Sequence, residues 1–244
     1  MSATDAKLAV IRKLLAQAED PAASPAEAET FTAKAAELMA RYGVDRAMLA
    51  DGDETADAIA DREIPVDPPY ARDKFGLLAG IARALGLRVI HKSGYRGRGT
   101  KALLFGYSSD IERTEILFTS LLLQAARGLL AAEVPPGEHV AAYRRTWLVG
   151  FSATVHRRLT EAEERARAEA TGSAATSAAG RSAEVVLADR QRIVDQRFTE
   201  TFPRLGTMGA RYLSGSGHRD GAAAGHRADL GGPSLRTRRG TLGR

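Results

Sequence analysis

Apolar residues recur at helical spacing over most of this chain, and the breaks in that period mark its elements. Leu8, Ile11, Leu15 and Ala18 share one face of a helix over Asp5–Ala18. A second helix opens at Ser24-Pro25-Ala26-Glu27, a capping box with proline at the first helical position, where its missing N–H costs nothing. Its stripe is Ala28, Phe31, Ala35, Leu38, Met39 and Tyr42, and Gly43 is placed just past its end. Neither stripe can be buried alone, so residues 1–44 predict an antiparallel helical hairpin.

Residues 45–58 are acidic and polar and predict a linker. A β-α-β-β unit follows: a strand over Arg62–Val66, a helix over Lys74–Leu85, and strands over Leu87–His91 and Lys101–Tyr107 joined by the turn Gly94–Gly99. Ser109-Asp110-Ile111-Glu112 has the form of a second capping box, opening a long helix to about Ala132. Pro135-Pro136-Gly137 breaks it. The fifth helix runs from about His139 to Ala170, with Tyr143, Trp147, Phe151, Val155 and Leu159 every four residues. Beyond Leu159 it is charged on every side, and that half is expected to project into solvent.

Residues 171–183 predict a flexible linker and Glu184–Phe198 a last helix, with 184–202 as its unit. From Pro203 the chain is rich in glycine and arginine, and partial disorder is expected. Gly217, Gly221 and Gly225 nonetheless recur every four residues there, a spacing that permits close helix packing. The fold class is therefore α+β and mostly helical: an N-terminal hairpin, then a small β-α-β-β unit packed with long helices over 59–170, and a basic tail over 203–244.

Composition narrows the function classes. The absence of cysteine excludes disulfides and thiolate metal sites. No cationic segment precedes an apolar one at the N-terminus. The longest apolar run, Ile116–Ala126, contains Thr119, Ser120 and Gln124 and falls short of the roughly 20 residues a membrane span needs. A soluble cytoplasmic protein with no membrane partner is expected. The net charge of +5 is uneven: eight arginines against Asp220 and Asp229 put residues 204–244 at +6 and the rest of the chain at −1. Such asymmetry points to an anionic partner, DNA or RNA.

The loop His91–Lys101 holds four lysines and arginines and three glycines, a composition suited to a phosphate backbone. Candidate nucleic-acid contacts are Lys92, Tyr95, Arg96, Arg98 and Lys101 on that hairpin, with Tyr95 able to stack on a base. Arg144 and Arg145 on the fifth helix and Arg236, Arg238 and Arg239 in the tail complete the set. Arg145, Ser152 and His156 share one helix side, where a polar pocket is expected. No catalytic residue, metal ligand or cofactor site is assigned: His218 and His226 lack a third ligand nearby, and no carboxylate in sequence orients His156. An enzyme is not the favoured class. The competing readings are an adaptor that docks another protein through the N-terminal hairpin, and a hydrolase built around His156 or His91.

Ile11, Lys13, Leu14, Leu15, Ala16, Ala18 and Glu19, followed by Glu27, Ala28, Glu29, Lys34, Ala35, Leu38 and Met39, form a string that resembles the domain-of-unknown-function family 2786. Residues 68–74, 143–151, 187–190 and the glycine-spaced tail resemble its actinobacterial members. The resemblance implies membership and carries over no activity, cofactor or catalytic residue. Related modules resemble phage-encoded as well as bacterial proteins, which favours a nucleic-acid setting.

Overall fold

The computed structural model of the chain describes residues 3–18, 25–53, 55–93, 99–173, 176–177, 179–209 and 211–228. Its elements in order are α1 (Ala3–Ala18), α2 (Pro25–Ala50), β1 (Ile59–Val66), α3 (Ala71–Ala84), β2 (Arg88–Ser93), β3 (Thr100–Tyr107), α4 (Ser108–Ala131), α5 (Val140–Gly172), α6 (Ala183–Thr201) and α7 (His218–Arg227). The fold is mostly helical α+β. The three strands form an antiparallel sheet in the order β1-β3-β2.

The central strand β3 is apolar through its middle because both its faces are covered. Ala102 and Leu104 enter the main core, while Phe105 on the other face meets the rings of Phe198 and Phe202 at 5.6 and 5.7 Å. The main core joins Leu8, Ile11 and Leu15 of α1, Met39 and Tyr42 of α2, Leu77, Leu78 and Ile81 of α3, Ile111, Leu117 and Leu121 of α4, and Trp147, Phe151 and Val155 of α5. The stripes of the N-terminal hairpin are thus buried against the later helices. The cap at Ser24 and the side chains of Glu27, Ala28 and Phe31 lie outside the described residues.

Several expectations are corrected. Gly43 does not end the second helix; α2 continues to Ala50. Gly43 is needed there because the guanidinium of Arg113 on α4 lies where a side chain would be. Arg113 is 2% exposed and donates to Asp110 at 2.8 Å and to Glu163 on α5. Burial pushes the Glu163 carboxyl up, against the pull of Arg113. Glu163 therefore faces the interior, and α5 beyond Leu159 does not project into solvent: Ala162 and Ala166 are buried, the latter beside Ala40 and Val44 of α2.

Ser109 does not cap α4 through its own side chain. Asp57, buried and remote in sequence, accepts from the Ser109 N–H at 3.0 Å and from its hydroxyl at 2.6 Å. Asp57 also accepts from Arg190, whose guanidinium sits 3.5 Å over the Tyr107 ring. The segments read as linkers are tied to each other: Asp51 accepts from Ser177 at 2.5 Å and from Arg181 at 2.6 Å. These contacts escaped the sequence because each joins residues more than fifty positions apart.

The tail is placed as far as Ala228. Phe202 packs on Phe105, Arg72 donates to the Gly209 carbonyl at 2.5 Å, and Ser216 donates to Glu138 through its N–H at 2.7 Å and its hydroxyl at 2.6 Å. The chain then enters α7, which lies along α5. Gly217, Gly221 and Gly225 sit over the backbone of Tyr143, Trp147 and Phe151, so two four-residue steps run in the same direction. Arg158 of α5 donates to the carbonyls of Gly225 at 2.8 Å and His226 at 2.9 Å, and to that of Ala228, satisfying the last turn of α7.

Tyr143 donates to Asp220 at 2.7 Å, and its phenol is pushed up to about 12 by burial first, then by Asp220. Its folded value lies above the ordinary 10.0, so this contribution is complete below pH 10 and is lost as pH rises through about 12. An alkaline titration followed by near-UV circular dichroism should show that step, and Tyr143→Phe should remove it while costing about 1 kcal/mol at neutral pH.

Candidate functional site

The helices α3, α5 and α7 run parallel, which gathers their N-termini at one end of the molecule. Gly80 of α3 faces Ser152 and His156, while Leu85 and Gly86, past the end of α3, share a cavity of about 40 Å³ with Glu163 and Arg167. Both helices therefore advance together, and the first turn of α3 lies level with the start of α5. The sheet opens at the same end: Val66 pairs with Thr100, Lys92 with Lys101, and the chain passes from Val66 directly to α3.

Cations from separate elements stand at this end, Lys92 and Lys101 on the sheet face turned away from α3. Lys92 and Lys101 flank Glu63 of β1 and donate to its two oxygens at 2.6 and 2.8 Å, holding its carboxyl down at about 2. Lys74 donates to the Asp67 carbonyl at 2.9 Å. Arg211 forms an ion pair with the buried carboxylate of Asp73 in the first turn of α3. Arg72, its neighbour, adds positive charge that nothing in that pair balances. Burial and then Arg72 push the Arg211 guanidinium down, and the same two causes in the same order act on His91, whose ring meets Phe75 edge-on at 4.7 Å. Tyr70 leads into α3 with a left-handed φ of 62°, uncommon for a residue with a side chain, and so turns the chain sharply from sheet to helix.

Of the residues picked from sequence, Lys92 and Lys101 stand at this end, with the Glu63 carboxylate between them that the loop itself lacks. Arg145 is exposed and shares the α3-facing side of α5 with Ser152 and His156, near the first turn of α3. Arg144 is half-buried, and its Nε has no hydrogen-bond partner. Tyr95, Arg96, Arg98, Arg236, Arg238 and Arg239 lie outside the described residues.

No polar pocket forms along Arg145, Ser152 and His156, because that side packs on α3. The Ser152 hydroxyl donates to the Leu148 carbonyl at 2.7 Å, and His156 Nδ1 is bound to the Gly80 carbonyl at 2.9 Å. Arg157 and Arg158 are drawn instead to α7, Arg157 meeting His226 at 2.9 Å. Trp147 is core. Sequence reasoning missed Arg72, Lys74 and Arg211. The first two sit in the run Pro68–Lys74, a readable signal. Arg211 carried none, since its partner Asp73 lies far away in the chain.

Residues 8–46 match the model of a family described as a protein of unknown function, DUF2786. The match lies within the N-terminal hairpin. No curated protein and no solved structure matches the chain. The DUF2786 segment includes most of α1 and most of α2, so it contributes Met39, Tyr42 and Gly43 to the contact with α4. Its outer side borders an open groove lined by Val10, Leu38, Met48 and Leu49 with Ala166 and Ala170 of α5. The charges on the groove's rim are paired with each other, Lys7 with Asp45 and Arg41 with Glu169. Among the described residues no group of three His, Cys, Asp or Glu side chains could hold a metal ion, and no helix is long and apolar enough to cross a membrane.

Proposed function

We propose that this chain binds nucleic acid through its phosphate backbone, at the end where the β2–β3 hairpin, the first turn of α3 and the start of α5 meet. The observation that carries the reading is that Arg72, Arg145 and Arg211 on the α3 side, and Lys92 and Lys101 on the other face of the sheet, stand on separate elements at one end, interspersed with Glu63, Asp73, Glu138 and Asp220. Opposed cations held by a fold are stabilised by an added polyanion, and each phosphate contact releases condensed counterions. Among the described residues the charges lining the apolar groove beside the hairpin are paired with each other, so the adaptor reading has less support.

A shift assay with duplex DNA, single-stranded DNA and RNA at low and moderate salt tests the proposal. Arg72→Ala and Lys101→Ala should each weaken binding and reduce the slope of log K against log salt by about 0.7–0.9. Glu63→Gln should tighten binding, because it leaves Lys92 and Lys101 without their carboxylate. Absence of binding to all three ligands at low salt would overturn the reading.

A further inference from the structure

Next in the chain to Arg211 stands Tyr212, which is 94% exposed. It lies on an irregular segment held on both sides: Arg72 fixes Gly209, Asp73 holds Arg211, and Glu138 binds Ser216 twice. Arg211 turns inward to Asp73, and the following side chain turns outward. Folding gains almost nothing from this ring, since so little of it leaves water. It is nevertheless kept beside the cationic end by anchors that leave the backbone little freedom.

We infer that this end takes single-stranded nucleic acid, with Tyr212 stacking on an unpaired base while Arg72 engages a neighbouring phosphate. The inference rests on the proposed phosphate-binding function and adds the strand class. Stacking on an exposed aromatic is open to any base, but only where the base face is free; in a duplex the neighbouring pairs already cover it. Arg72 uses one guanidinium nitrogen for the Gly209 carbonyl, which leaves further N–H donors for phosphate oxygens. Arg211 positions the tyrosine and is itself occupied by Asp73.

Fluorescence anisotropy on the full chain at low salt, with a short labelled single strand and the matching duplex, tests this. Tyr212→Ala should weaken single-strand binding about tenfold or more and leave duplex binding unchanged, and Tyr212→Trp should retain it. An unaltered single-strand affinity in Tyr212→Ala overturns the inference while the phosphate reading stands. Failure of the parent chain to bind either probe removes both.

Discussion

Replacing Glu163 with alanine lowers the unfolding free energy by about 3–5 kcal/mol, read from urea denaturation. The reason lies in what remains. The Arg113 guanidinium is 2% exposed, its Nε already has no partner, and its charge is balanced by Asp110 and Glu163. Without Glu163, one nitrogen and half of the balancing charge go unmet around a guanidinium almost wholly withdrawn from solvent. The matching double replacement, Arg113→Met with Glu163→Leu, should cost little or stabilise, because well-packed apolar residues avoid the desolvation that the ion pair suffers. A single-variant loss below about 1 kcal/mol would mean that the interior is wetter than its geometry implies.

Gly221→Val drives α7 off α5. A Cβ at Gly221 would overlap the Trp147 carbonyl, lying 2.6 Å from its carbon, and the obstacle is backbone that cannot rotate away. Gly217 and Gly225 make the same close approach one turn to either side, so the helix cannot slide to relieve it. The expected cost is about 3 kcal/mol or more, from overpacking and from the surface of α5 that is uncovered when α7 departs. Trp147 is the chain's single tryptophan, is buried, and stacks on Phe151 at 5.3 Å. Its emission should therefore shift to the red as α7 leaves. Gly76→Ala is the control: nothing lies within 4 Å of that position, and the change should be neutral or stabilise by up to about 1 kcal/mol. Unchanged emission and stability in Gly221→Val would refute the tight α5–α7 contact.

Much of the candidate site could be read in advance only as separate pieces. The basic hairpin was visible because lysine, arginine and glycine cluster within a dozen residues. That Glu63 neutralises part of it was not, because β1 reaches Lys92 and Lys101 across the sheet. The helical period put Arg145 on one side with Ser152 and His156, but its place near the first turn of α3 depends on the parallel course of two helices. Arg158 closes the end of α7, a role that depends on α7 docking along α5.

Local order in this protein was settled by its sequence: the apolar period placed most of the helices and strands to within a few residues, and the four-residue glycine step foretold a closely packed helix in a tail otherwise expected to be loose. Periodicity is a property of neighbours, so it reports on elements and their buried faces. The tertiary structure alone decided that Gly43 lies inside a helix, that Glu163 is buried, that Asp57 caps α4, and that cations from the sheet, α3, α5 and the tail share one end. Each of those outcomes is a contact between distant segments, set by how packed faces bring charges into or out of water, and no local pattern encodes it.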